Sequence, residues 1–270
     1  MKKKFWTIFL FMMIVLQLSC LTAFAKTTTQ KADLNGDKKK ETVKIVEGSS
    51  VKIYVNGKQM LQMPKYTQIR IVDFNKKDKY REIAALRTIN TGNNFNGILT
   101  LYRYNGKKLT KYVEGDDRSR NNNVLSAGHC YGLSYFNDFE YGIEFKGDGY
   151  LRTDAMFSLK KYPGVFSNFT AVYKNLNGKL VLDSKKYHSA GEWSDVDLSK
   201  APYNMSVYQY PRSTSNRKLF TLKKNSRFCI RQIVINSQKT YVQIKDSKSK
   251  KCGWLIFATK DIKISEPGMY

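Results

Sequence analysis

Polar and apolar residues alternate with a period of two along most of this chain. Thr42-Val43-Lys44-Ile45-Val46, Val51-Lys52-Ile53-Tyr54-Val55 and Gln68-Ile69-Arg70-Ile71-Val72 are rich in β-branched side chains, the pattern of strands with one face buried. Asn56-Gly57, Asn105-Gly106 and Asn177-Gly178 fall between such runs. That dipeptide tolerates the positive φ angles of a tight turn, so hairpins are predicted at all three. No segment carries a 3.6-residue apolar stripe over three turns. Ile83-Ala84-Ala85-Leu86, the one run that reads as a scrap of helix, follows Arg81-Glu82 and is better placed as a buried strand. The pattern predicts an all-β chain.

A loose repeat appears when residues 97–107 (GILTLYRYNGK) are laid over residues 169–179 (FTAVYKNLNGK), with Asn56-Gly57-Lys58 as a shorter third copy. Repeated hairpins of this kind predict blade-like units, forming a partial propeller or one twisted sheet. Three incomplete copies do not close a propeller. Residues 116–123 (DDRSRNNN) read as an exposed loop, and alternation stops over Ser194 to Pro202. The expected division is a β-hairpin domain over residues 26–198 and a second domain over 199–270.

The N-terminus reads Lys2-Lys3-Lys4, an apolar run from Phe5 to Leu18, then Ala23-Phe24-Ala25. This three-part layout predicts a secretory signal peptide over residues 1–25, cleaved after Ala25. A membrane anchor is the alternative, but the run is shorter than the ~20 residues a span needs. Cys20 raises lipid anchoring, which Gln17 disfavours by standing where lipoprotein signals carry an aliphatic residue. The expected location is secreted or cell-envelope associated, with no transmembrane segment after cleavage.

Losing Lys2, Lys3 and Lys4 lowers the net charge from +25 to +22. Each lysine run, such as Lys38-Lys39-Lys40 or Lys248-Ser249-Lys250-Lys251, is most simply a solvated turn. Together they create a long-range field that attracts polyanions and is screened by salt. Outside a cell those are anionic wall polymers, lipid headgroups or stray nucleic acid; export argues against a genomic role, and peptidoglycan or anionic wall polymers are the expected partners rather than nucleic acid.

Cys130, Cys229 and Cys252 remain after cleavage. A Cys229–Cys252 bridge would close a loop of 22 intervening residues and contribute about 3 kcal/mol; two separately buried thiols are the alternative.

From Tyr203 onward, short segments follow one another closely: Met205 to Tyr208, Lys218 to Asn225, Phe228 to Ile233, Thr240 to Lys245 and Gly253 to Ile256. Leu222-Lys223-Lys224-Asn225, Tyr241-Val242-Gln243-Ile244 and Gly253-Trp254-Leu255 resemble the turn, hairpin and closing Gly-Trp of bacterial SH3-like domains, with Asn225 at the usual turn glycine. The resemblance covers the final quarter of the chain. It implies a small SH3-like barrel and a non-catalytic module that targets exported proteins to peptidoglycan or related polymers. Tyr208, Tyr210, Tyr241 and Trp254 are the candidate ligand-binding aromatics. Tyr241 and Trp254 are also natural core residues of so small a barrel, whereas Tyr210 beside Pro211 reads as exposed.

Asp33, Asn35, Asp37 and Glu41 place oxygens at relative positions one, three, five and nine, a spacing suited to calcium. The segment resembles the metal loops of FG-GAP repeats, but Lys38 stands at their usual glycine and three lysines oppose a cation. Weak calcium binding and a metal-free loop are both open, and no other cofactor is implied. Residues 73–82 (DFNKKDKYRE) read as a degenerate copy whose Asp and Asn side chains make turn bonds.

His129 and His188 are the only histidines, in no zinc spacing. His129 and Cys130 are neighbours that a strand would point to opposite faces, and the Asp-Cys-Ser-Gly helix start of cell-wall cysteine peptidases is absent. The chain therefore reads as a non-enzymatic, exported envelope-binding protein. Its rival is a thiol-dependent wall hydrolase or an enzyme inhibitor with its site in residues 120–190, near Cys130 and His188.

Overall fold

The computed structural model describes residues 25–90, 95–116, 143–183, 188–189, 199–212, 216–236 and 238–265. Residues 1–24 of the expected signal peptide, most of residues 116–123, His129 and Cys130 lie outside the described residues. Within them the chain is all-β, with twenty strands, a 3-10 turn at Thr259–Asp261 and no α-helix. It forms two compact units, one ending at Tyr66 without residues 33–39, the other made of Asp33–Lys39 and everything from Thr67.

The first unit is an antiparallel meander of β1 (Lys26–Ala32), β2 (Glu41–Glu47), β3 (Ser50–Val55) and β4 (Lys58–Pro64), paired in chain order. Alternation places Val43, Ile45, Val51, Ile53 and Val55 on one buried face, while Lys44 is exposed. Asn56 and Gly57 join β3 to β4 with φ of 50° and 81°, as a type I′ hairpin requires.

The larger unit opens with β5 (Thr67–Val72), β6 (Glu82–Asn90), β7 (Phe95–Tyr104), β8 (Leu109–Asp116), β9 (Ile143–Phe145), β10 (Tyr150–Leu159), β11 (Tyr162–Leu176) and β12 (Lys179–Leu182). Its C-terminal sheet contains β13 (His188–Ser189), β14 (Ser199–Lys200), β15 (Met205–Tyr208), β16 (Lys218–Leu222), β17 (Arg227–Ile235), β18 (Lys239–Asp246) and β19 (Cys252–Ala258). The last strand, β20 (Ile262–Ser265), leaves that sheet and pairs with β10, Phe157 opposite Ile264.

The first sheet of this unit runs β20-β10-β11-β12-β8-β7-β6-β5, with β9 also on β10. The two repeat copies are the β7–β8 and β11–β12 hairpins, and their second strands lie side by side in parallel, Lys179 opposite Glu114. Beyond β5, Asn75 bridges to Asp148, Gly149 N–H donates to the Phe74 carbonyl (2.7 Å) and Lys76 N–H to the Gly147 carbonyl (2.8 Å). One end of the sheet thus reaches the β9–β10 side, and the sheet rolls nearly shut as a barrel. These two hairpins are strands of this one rolled sheet, whereas the third copy, β3–β4, belongs to the four-stranded sheet of the first unit.

Asn177 and Gly178 (φ 51° and 80°) form the second type I′ turn. The third Asn-Gly pair differs. Tyr104 pairs with Leu109, so four residues make the loop, and Asn105 keeps a negative φ while its Oδ1 accepts from Lys107 and Lys108 N–H. The run Ile83 to Leu86 is fully buried strand.

A continuous apolar cluster joins Phe157, Phe169 and Tyr173 of the rolled sheet to Phe228, Ile230, Ile244 and Leu255 of the C-terminal sheet. Each such ring or branched chain contributes about 1.5–3 kcal/mol on burial. One ion network also lies in this unit. Glu82, fully buried, accepts from Phe74 N–H (3.1 Å) and from Arg103 Nε (2.9 Å), and Arg103 Nη2 reaches Asp78 Oδ2 at 2.5 Å. The guanidinium lies 3.4 Å from the centre of the Tyr112 ring and 4.7 Å from that of Tyr80. Burial pushes the Glu82 carboxyl above its ordinary pKa, against the pull of the Phe74 amide and Arg103.

Candidate functional site

Period-two alternation sorts the C-terminal sheet into two faces. Ile230, Ile233, Val242, Ile244, Leu255, Met205 and Val207 join the apolar cluster, so Tyr241, Trp254 and Tyr208, on alternate positions, point the other way. Register sets Tyr208 opposite Trp254, Trp254 opposite Gln243, and Tyr241 opposite Ile256. Three of the four candidate aromatics therefore share one face, with Tyr241 diagonal to Trp254. Tyr241 and Trp254 are each only 6% exposed and Tyr208 is half-buried.

Gly253 explains the Gly-Trp pair physically. A Cβ there would collide with the Val207 side chain and come within 3.0 Å of the Tyr208 carbonyl oxygen. Only glycine lets β15 lie this close to β19. Asn225 takes φ +65°, the left-handed conformation that glycine adopts freely and asparagine tolerates.

The fourth aromatic, Tyr210, is 45% exposed. Its loop is braced by Asn216, whose Oδ1 accepts from Tyr210 N–H (3.1 Å) and whose Nδ2 donates to the carbonyls of Tyr210 (2.6 Å) and Arg212 (2.7 Å). The Arg212 guanidinium lies 4.7 Å from the Tyr210 ring centre. The result is a fixed aromatic tip with a cation on one side.

A scan against protein-family models, a search of curated proteins and a search of solved structures each return no match. The chemistry is therefore read from this chain alone.

In the Asp33 loop, Asp33 Oδ1 accepts from Gly36 N–H (2.7 Å) and Oδ2 from Lys38 N–H (2.8 Å). Asn35 Oδ1 accepts from Asp37 N–H (2.9 Å), and Asp37 Oδ1 from Lys39 N–H (2.8 Å). That last bond, then one from Asn35, holds the Asp37 carboxyl below its ordinary pKa. Glu41 is buried. The loop is shaped by its own amides, with Lys38 in the left-handed region at φ +69°. Among the described residues no three His, Cys, Asp or Glu side chains are gathered to hold a metal ion. In the degenerate copy, Asn75 and Asp78 accept from Lys77 and Tyr80 N–H as turn bonds.

The thiols are separate. Cys229 pairs with Lys245, and Lys245 pairs with Cys252, so the two cysteines lie two strand spacings apart, about 10 Å. A disulfide needs Cα atoms within about 7 Å, and neither cysteine is disulfide-bonded, Cys229 being buried and Cys252 exposed. Of the rival thiol site, Cys130 and His129 lie outside the described residues; His188 pairs with Ile233 through the backbone of β13.

Sequence reasoning missed Tyr162 and Tyr203, which are exposed and in ring contact. Lys160-Lys161-Tyr162 and Pro202-Tyr203 each mark a solvent-facing ring in a turn. Their meeting across the fold had no local signal.

Proposed function

We propose that this protein is an exported, non-catalytic binding protein of the cell envelope that holds peptidoglycan or an associated anionic polymer. The Tyr210–Arg212 tip carries the reading: an exposed ring and a cation are fixed in place on the C-terminal sheet, on a chain with a large positive charge. A ring whose backbone is held by Asn216 loses little freedom on binding, and the surrounding field draws polyanions in. The sequence resemblance of this region to SH3-like domains, and the signal-peptide pattern of residues 1–25, support the same reading. Among the described residues no helix is long and apolar enough to cross a membrane.

The test is co-sedimentation of the chain from Lys26 onward with peptidoglycan, with and without its anionic polymers, at 0.05 and about 0.5 M salt. At the higher salt, screening shortens the field to a few ångströms, so binding that survives there and falls with Tyr210→Ala/Arg212→Ala supports a specific module. Binding that disappears with salt would reduce the interaction to general charge attraction. Cys130→Ala and His188→Ala retain binding on this reading and abolish activity on the thiol-enzyme reading.

A further inference from the structure

Two exposed tyrosines meet where separate turns of the larger unit converge. Lys160-Lys161 turns β10 into β11, and Tyr162 follows directly. Lys160 N–H donates to the Asp261 carbonyl (3.0 Å), and its ammonium to the Lys260 carbonyl (2.5 Å), which fastens this hairpin to the 3-10 turn. The segment bearing Tyr203 is fastened just as firmly. Ala201 N–H donates to the Ser226 carbonyl (2.9 Å), Asn225 N–H to the Ala201 carbonyl (2.8 Å) and Lys224 N–H to Asn204 Oδ1 (2.9 Å).

The two rings stand 5.4 Å apart between centroids at 57°, with Tyr162 37% and Tyr203 42% exposed. Lys160, Lys161, Lys224 and Lys260 are exposed in the same turns, and Asp261 is the one acid these turns contain. Burial, then Tyr162 and Asp261, raise the Tyr203 phenol above its ordinary pKa, so its hydroxyl stays a neutral hydrogen-bond donor. Tyr66 and Tyr210 expose single rings; here two rings form an angled platform on turns that also carry four exposed lysines. Tyrosine is favoured at binding surfaces because a large rigid face is combined with a polar tip.

We propose that Tyr162 and Tyr203, with Lys160, Lys161, Lys224 and Lys260, form a docking surface for an anionic glycan strand. Apolar C–H faces of the sugars pack on the two rings, and the acidic substituents of the strand meet the ammonium groups. The positive charge selects a polyanion, and the paired rings select one that carries rings of its own. This inference rests on the reading of the chain as an envelope-polymer binder and adds a second site, at the junction of the two sheets, to the Tyr210 tip.

The experiment titrates the chain from Lys26 onward with three probes of similar charge at 0.15 M salt: an oligogalacturonate, linear inorganic polyphosphate and an oligothymidylate. Tyr162→Ala/Tyr203→Ala is expected to weaken oligogalacturonate binding about tenfold or more while leaving polyphosphate within about twofold. Tyr162→Phe/Tyr203→Phe keeps the rings and retains most glycan affinity, and an unchanged urea midpoint shows that the alanine pair is folded. If the alanine pair binds the glycan as well as the parent, the platform is refuted while the wider reading stands. If the parent binds neither oligogalacturonate nor peptidoglycan, both fall together. Tighter binding of oligothymidylate, lost in the alanine pair, would make the platform a single-stranded nucleic-acid site and overturn the glycan assignment.

Discussion

Replacing Arg103 with methionine should destabilise the protein by an amount that depends on pH. The substitution keeps an unbranched stem but removes the charge facing Glu82, a fully buried carboxylate, and Asp78. Breaking a buried pair from one side costs about 3–5 kcal/mol, but neutralisation sets a ceiling here. Glu82 escapes an unpaired charge by taking up a proton. From its ordinary value of 4.5, that takes about 3.4 kcal/mol at pH 7, at 1.36 kcal/mol per pH unit. Losing the stack on Tyr112 and Tyr80 adds about 1 kcal/mol, so the loss at pH 7 is at most about 4 kcal/mol, less the penalty the raised Glu82 already carries in the parent. A raised folded pKa contributes stability that is complete below the unfolded pKa and is lost as pH rises through the folded one. The variant, whose Glu82 is raised further, should therefore close the gap on the parent by about 2 kcal/mol between pH 7 and pH 5. Urea titrations of both proteins at the two pH values measure this, and adding Glu82→Gln to the variant should recover much of the loss. A gap below about 1 kcal/mol at pH 7, or one that does not move with pH, would refute the argument.

Three further outcomes follow from the geometry. Gly253→Ala should cost about 1–3 kcal/mol by urea titration, because the new Cβ has only packed side chain and backbone to displace; equal stability would mean that β15 shifts freely. In the chain from Lys26 onward carrying Cys130→Ser, a thiol reagent should label one cysteine in the native protein, Cys252, and Cys229 only after unfolding, and a reductant should leave the urea midpoint unchanged. Lys38→Gly should raise stability by about 1 kcal/mol by relieving a left-handed lysine at φ +69°; a loss would show that the lysine side chain has a stabilising partner.

Local chemistry made the strands legible. Alternation marks β2, β3 and β5, and Asn56 and Asn177 turn where Asn-Gly says they should, because those signals are confined to a few neighbouring residues. Asn105 departs because the β7–β8 register leaves four residues in its loop, which a dipeptide cannot reveal. Tyr208, Tyr241 and Trp254 share a face by the same period-two rule, but how deeply that face is covered depends on residues distant in sequence. Pairing order also decided the cysteines: β18 lies between β17 and β19 and places Lys245 between the two thiols. Tyr162 and Tyr203 meet across two sheets, and Ile262 to Ser265 find their partner on β10; both contacts are purely tertiary.

That last pairing bears on how the chain comes together in time. Phe157 is opposite Ile264, so β10 waits more than a hundred residues for one of its neighbours, and contacts of such separation slow folding. A chain emerging from a ribosome or a translocation channel would have the rolled sheet nearly assembled, yet one edge would remain open until residue 265 was free. Chains cut anywhere before β20 keep that edge exposed and are the species most prone to pair with one another. The late arrival of β20 thus leaves the β10 edge uncovered along Met156 to Leu159 until the last strand pairs there.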